Sequence, residues 1–212
     1  MKIGTTVPDK SGGSSISDPS IKNRLIAAAT DLFAQQGFAG TSVREICTKA
    51  DASVPMINHY FGSKQGLLDA ILGQLSGNTF DVPVRLIQGE LKSREEFLTK
   101  LDLFISEAFN CLLGLAPIFR IIIREGAPFA DLGAVHVALA TFLETAKSKG
   151  FLEGEFQPEL VTGLVLDRLG NQVLFAVNPA YNGPNVLTDL EYRDQWLKSN
   201  TQALMFGLAG RR

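Results

Sequence analysis

An all-helical fold is what this sequence predicts, on three observations. Apolar residues recur at helical spacing in about nine separate segments. No stretch carries a strand signal. Gly, Pro and Ser fall between the segments, where they stop and start helices. The chain has 212 residues, 45% of them apolar, which is enough to bury a core and too much for a disordered chain. The expected architecture is all-α: an N-terminal three-helix helix-turn-helix domain followed by a C-terminal helical bundle, about nine helices in total. Residues 1–20 read as a flexible tail, 21–72 as the N-terminal domain and 73–212 as the bundle.

The first segment, "MKIGTTVPDKSGGSSISDPS", is Gly- and Ser-rich and lacks periodicity. It also lacks the apolar centre of a secretory leader. "IKNRLIAAATDLFAQQG" sets Leu25, Ala28, Ala29, Leu32 and Phe33 on one face and stops at Gly37. "TSVREICTKA" opens with Ser42-x-x-Glu45, a capping box in which each side chain satisfies a free amide of the helix start; Thr41 is the alternative cap. This helix buries Val43, Ile46, Cys47 and Ala50, and Asp51-Ala52 turns the chain. Ser53 then caps a third short helix with Pro55 in its first turn, where a missing N–H costs nothing.

Two short helices joined by a three-residue turn make a helix-turn-helix unit. In "SVPMINHYFGSK", Ile57 and Phe61 are four apart and face inward. Pro55, Met56, Asn58 and His59 are left outward. Asn suits a base edge, Met a thymine methyl, and the rings of His59 and Tyr60 suit phosphate oxygens. Ser63 caps the next helix and Lys64 sits in its first turn, where free amides and positive charge favour an anion.

Residues 21 to 72 resemble the DNA-binding domain of TetR-type transcriptional regulators. The resemblance is carried by "AAATDLFAQQGFAGTSVREICTKADASVPMINHYFGSKQGLLDAIL" and covers about a quarter of the chain. It implies base-reading positions at Pro55, Met56 and Asn58, and phosphate positions at Thr41, His59, Tyr60 and Lys64. Ser42, Arg44 and Ser53 complete the expected DNA-facing set. The chain departs from the family's pattern at Pro55, where Gly is frequent, at Asn58, where Tyr is frequent, and at Asp51, where Gly is usual.

The remainder reads as helix after helix. "REEFLTKLDLFISEAFNCLLG" puts Phe97, Leu101, Phe104, Ile105 and Ala108 on one stripe. "APIFRIIIREG" has a Pro in its first turn and ends at Gly126, and "DLGAVHVALATFLETAKSKG" ends in Lys147, Lys149 and Gly150. "PELVTGLVLDRLGNQVLFAVN" and "DLEYRDQWLKSNTQALMFGLAG" close the chain. The first of these two is apolar on more than one face, with Gly163 and Gly170 seven apart, so one face covers its own bundle and a second invites a partner. In the family the last two helices pair with their twins, so the resemblance implies a homodimer on a palindromic operator. It also implies a small-molecule effector in the bundle. Candidates to line its site are Phe104, Phe119, Arg120, Arg124, His136 and Phe142. For Arg120 and Arg124, pairing with Glu125 or Glu107 is the competing expectation, and for His136 a satisfied core histidine.

Composition narrows the function classes. Residues 1–75 hold 7 Lys/Arg against 6 Asp/Glu, and 76–212 hold 13 against 16, so the N-terminal part is the less acidic. Two His and two Cys are too scattered for a metal cluster, and Cys47 and Cys111 read as reduced, buried thiols. There is no G-x-S-x-G, P-loop or dinucleotide fingerprint. No enzyme, metal or cofactor is predicted. No apolar run reaches the roughly 18 residues of a membrane span, and a cytoplasmic protein without membrane contact is expected. The prediction is a sequence-specific regulator of transcription on double-stranded DNA, a repressor released by its effector. The alternative is a helical adaptor that uses its helix-turn-helix on a protein.

Overall fold

The computed structural model describes residues 19–75, 78–127, 132–152 and 155–209. Most of the expected tail lies outside these residues, and so do Pro128 and Phe129. Ten α-helices run in order: α1 Pro19–Gly40, α2 Val43–Ala50, α3 Val54–Phe61, α4 Lys64–Leu72, α5 Asp81–Leu86, α6 Arg94–Gly114, α7 Ala116–Glu125, α8 Gly133–Ser148, α9 Pro158–Val177 and α10 Leu190–Ala209. No strand occurs among the described residues. Nine of the helices have eight or more residues, and α5, a six-residue turn around Pro83, was not foreseen. Helix α1 starts at Pro19, two residues inside the segment expected to be tail.

Helix ends follow the local chemistry. Ser42 is the cap of α2: its hydroxyl accepts from Glu45 N at 3.2 Å, and Glu45 accepts from Ser42 N at 2.7 Å, so Thr41 is not the cap. Asp51 ends α2 in the left-handed conformation at φ 49°, the only described non-Gly residue with positive φ. Its strain is offset by an anchor from α1. Arg24 donates Nε to the Ala50 carbonyl at 2.9 Å and Nη2 to the Asp51 carbonyl at 3.2 Å, taking up two carbonyls that a helix end leaves free. Ser63 caps α4 through Gly66 N at 3.0 Å. Ser53 has the extended backbone of a cap on α3, but its hydroxyl makes no capping bond.

The N-terminal domain packs Leu25, Ala29, Phe33, Ile46, Ile57, Leu67 and Ile71 into its centre, all buried. The bundle is built around α6, whose Phe97, Leu101, Phe104, Ile105 and Ala108 are buried as the stripe requires. Helix α9 packs on α6, α7 and α8. It is also long and apolar enough to cross a membrane by length and hydropathy alone, contrary to expectation, because its few charges fall close together near its middle and start. That apolarity is used within the bundle, where Val165, Leu169 and Val173 are buried.

The N-terminal domain sits on the bundle through α1 and α7, the most extensive helix pair among the described residues. The contact centres on Gly37, where α1 breaks at φ 82° and ψ 167°. At this break Arg124 Nη1 donates to the Gln35 carbonyl at 2.9 Å, and Glu125 accepts from Phe38 N at 2.9 Å. From the other side Lys64 Nζ donates to the Phe38 and Thr41 carbonyls, each at 2.6 Å, and lies 4.2 Å from the centre of the Phe38 ring.

Two stability predictions come from this junction. Gly37 occupies a backbone region essentially reserved for Gly, and a Cβ there would lie 2.7 Å from Arg124 Nε. Gly37→Ala is therefore expected to destabilise the protein by about 1–3 kcal/mol in urea unfolding. Lys64→Ala removes two charge-assisted bonds and is expected to cost a similar amount, about 1–3 kcal/mol, in the absence of DNA. A lysine that served only phosphate would leave unfolding unchanged on removal.

Candidate nucleic-acid interface

Helix α3 presents the expected outward face. Ile57 is buried beneath it, while Pro55, Asn58 and His59 are exposed. Met56 and Tyr60 are half-buried against the domain core, so each offers only part of its side chain. The His59 ring stands edge-on to Tyr60 at 4.9 Å between centres, which sets the direction of both. Phe61 is half-buried and completes the inner face with Ile57. At the start of α3 the exposed Ser53 hydroxyl makes no capping bond; Pro55 has no N–H and Met56 N donates to the Ser53 carbonyl at 3.0 Å, so the hydroxyl itself is the group turned to solvent there.

Helix α2 supplies Ser42 and Arg44, both exposed. Arg44 has no protein partner within the described residues. Two hydrogen bonds from Ser42, first through its side chain and then its backbone, hold the Glu45 carboxyl below its usual value. The capping box is therefore intact above the carboxyl's unfolded-state pKa and is lost as pH falls through the lowered folded value. Burial pushes the Cys47 thiol up, and burial first, then Glu107, pushes up that of Cys111, so both stay protonated.

Two expected phosphate ligands are turned inward. Thr41 is 2% exposed and its hydroxyl donates to the Gly37 carbonyl at 2.7 Å, so it has nothing left to offer DNA. Lys64 is committed to the Phe38 and Thr41 carbonyls and the Phe38 ring. Both belong to the brace that holds the α1–α2 connection. Arg24 was missed in the sequence. Its partners lie 26 and 27 residues away, and only the absence of Gly at position 51 hinted that a side chain must steady the turn.

The bundle separates the effector candidates. A cavity of about 350 Å³ is walled by Leu75, Phe80, Leu112, Phe119, Leu166 and Leu174, with Asp167, Gly170 and Asn171 of α9 along one edge. Of the six residues named from sequence, only Phe119 reaches it. Phe104 is fully buried core. Phe142 stacks on Phe97 at 5.2 Å and lines a separate cleft of about 290 Å³. Arg120 and Arg124 line a third cleft, of about 660 Å³, between α1, α7 and the end of α9, and His136 lines none of the three. The expected pairing of Arg124 with Glu125 or Glu107 is replaced by its bond to Gln35, because α7 ends against α1 and its last side chains meet the backbone there. Among the described residues no group of three or more His, Cys, Asp or Glu could hold a metal ion.

Comparison with known proteins bears on this geometry. Residues 25–71 match the family model described as bacterial regulatory proteins, tetR family. A probable HTH-type transcriptional regulator of Bacillus subtilis (strain 168), YttP, is 46% identical over 55 residues, which cover 26% of this chain and 27% of that protein. The match with YttP thus spans about a quarter of that relative. An uncharacterized HTH-type transcriptional regulator of the same organism, YvkB, is 30% identical over 142 residues, 61% of this chain and 69% of that protein. The fold is similar to that of FadR from Bacillus subtilis, solved in complex with stearoyl-CoA, with a TM-score of 0.61, 18% identity, and coverage of 90% of this chain and 99% of that one. With its helix-turn-helix, its all-helical bundle and a relative matched over most of its length, the chain belongs to the TetR family of transcriptional regulators.

Proposed function

We propose that this regulator is a homodimeric repressor, located in the cytoplasm, that binds a palindromic operator and releases it when a small apolar molecule enters the bundle. The observation that carries the reading is the course of α7. One ten-residue helix lines the cavity through Phe119 and, about one and a half turns later, holds the N-terminal domain through Arg124 and Glu125. A ligand that moves Phe119 therefore acts on the helix that orients the DNA-reading face. The FadR neighbour, with stearoyl-CoA bound, is consistent with this use of the bundle. The ligand acts by population shift: it must bind more tightly to the dimer whose reading helices are mis-spaced for the operator.

The remaining DNA-facing set is Ser42, Arg44, Ser53, Pro55, Met56, Asn58, His59 and Tyr60. Arg44, Ser53, His59 and Tyr60 address phosphates, and Asn58 addresses a base edge. Selection of bound duplexes from a random pool tests the assignment. Asn58→Ala is expected to relax the selected motif at one or two positions, a loss of about 1–3 kcal/mol of discrimination, whereas His59→Ala weakens all duplexes alike. An unaltered motif for Asn58→Ala would remove it from base reading. A chain that bound no duplex at any salt concentration would be an adaptor instead.

The dimer reading rests on the outer face of α9. Leu160, Leu164 and Phe175 are 63%, 69% and 51% exposed, and no atom lies within 4 Å of a Cβ added at Gly163. A partner helix fits against such a face, and two reading helices then lie about one DNA turn apart. Leu164 is largely exposed and a Cβ at Gly163 faces open space, so Leu164→Arg and Gly163→Leu leave the buried core of the protomer in place. Each is expected to raise the dimer dissociation constant about a hundredfold or more, by light scattering, with operator affinity lost in parallel. Unchanged dimers in both variants would move the interface elsewhere.

A further inference from the structure

The cavity beside Phe119 has a charge as well as a shape. Its walls are apolar, and Asp167, itself exposed, is the only ionisable side chain among the described residues that line it. Asp167, Gly170 and Asn171 lie at positions i, i+3 and i+4 of α9 and so share one face of that helix. Neither the Asp167 carboxylate nor the Asn171 amide has a hydrogen-bond or ion-pair partner among the described residues. Gly170 between them leaves open space where a side chain would stand. The edge is thus a carboxylate and a carboxamide flanking a gap that opens onto an apolar chamber. The two arginines that would suit an anionic ligand are elsewhere: Arg120 and Arg124 line the separate cleft by α1, and Arg124 is held by Gln35. Arg168 borders the groove between α9 and α10 but not the cavity.

We propose that the effector is a cationic amphiphile, an apolar or aromatic body carrying a protonated amine, with Asp167 as its counter-charge and the Asn171 carbonyl as a second acceptor. This rests on the reading of the cavity as the effector site and adds the ligand's charge to it. The apolar body displaces water from Leu112, Phe119, Leu166 and Leu174, while the ammonium stays at the α9 edge. A carboxylate or phosphate in the same pose would meet like charge at Asp167, and no cation is among the described residues that line the cavity. Asp167 and Asn171 also border the α9–α10 groove. A second copy docked on that face would cover the edge, exclude water from the carboxylate and strengthen its preference for a cation.

The test uses three probes of one shape and different charge, phenylbutylamine, phenylbutanol and phenylbutyrate, titrated calorimetrically into the full-length protein at neutral pH. The amine is expected to bind about tenfold or more tighter than the acid, with the alcohol between them. Asp167→Asn, which keeps shape and removes charge, is expected to bring amine and acid to within about threefold while leaving the alcohol unchanged. Phe119→Trp and Gly170→Leu, which fill the chamber and its gap by different routes, are expected to weaken all three, and the second serves if the first fails to fold. Equal or tighter binding of the acid, or an amine preference that survives Asp167→Asn, would overturn the charge assignment and leave the cavity reading standing. Undiminished binding in both filled variants would place the probes outside the cavity and overturn the proposal. Failure of all three probes to bind the unaltered protein would overturn the effector reading itself.

Discussion

The break in α1 at Gly37 is the constraint on which the rest of the molecule depends. Ending a helix there leaves backbone carbonyls and an amide in need of partners, where α1 of the N-terminal domain packs on the bundle. The Gln35 carbonyl is taken by Arg124, the Phe38 amide by Glu125, the Phe38 and Thr41 carbonyls by Lys64, and the Gly37 carbonyl by the Thr41 hydroxyl. Three helices therefore share one short stretch of chain. Glycine is required both for its dihedral angles and for the nearness of Arg124.

The strength of this junction suits a switch. A net hydrogen bond contributes about 0.5–1.5 kcal/mol, somewhat more with a charged donor or acceptor. The two bonds from α7 to α1 therefore amount to a few kcal/mol, before discounting for their exposure to water. Allosteric coupling is commonly about 1–3 kcal/mol. A ligand with that much preference between two positions of α7 can compete with the clamp without unfolding either domain. Stronger docking would make the reading domain deaf to the cavity, and much weaker docking would leave its orientation undefined. Phe119 and the Arg124–Glu125 pair are close enough along one rigid helix that no chain of intermediate residues is needed between them.

How much of this was legible in the sequence depends on how far apart the cooperating residues lie. Ser42 and Glu45, three apart, announced their capping box; Ser63, Pro117 and Gly126 announced the limits of their helices; the α6 stripe announced its buried face. These are local rules with local evidence. The junction joins Gln35 to Arg124 across 89 residues and Phe38 to Glu125 across 87, and nothing in either segment names the other. That is why Thr41 and Lys64 were expected to face phosphate: each is polar and close to the recognition unit, and only the fold shows the carbonyls they serve instead. Ser53 misled in a subtler way, since its backbone has the cap conformation and its hydroxyl is simply not spent there. The short α5 escaped because six residues around a proline carry no measurable period. The cavity edge escaped because aromatic and basic residues drew attention to α7 and α8, while the polar groups sit on α9.

Helix α9 shows why a sequence with three uses for one helix reads ambiguously. Its inner face must fill the bundle, which accounts for Val165, Leu169 and Val173. Its outer face carries Leu160, Leu164 and Phe175 into solvent, a cost that makes sense only if another surface covers them. Asp167 and Asn171 stand on that same exposed outer face, and Gly170 beside them borders the cavity. An apolar run long enough to pass for a membrane span is the sum of these demands. A helix serving the core alone would have placed charges all along its outer face. Here the adjacent Asp167 and Arg168 interrupt it at mid-length, and the glycine beside them keeps the cavity open. The proposed effector site and the proposed dimer surface thus share one face of α9, so a molecule seated at Asp167 would stand beside both α7, which holds the N-terminal domain, and a second copy docked on α9.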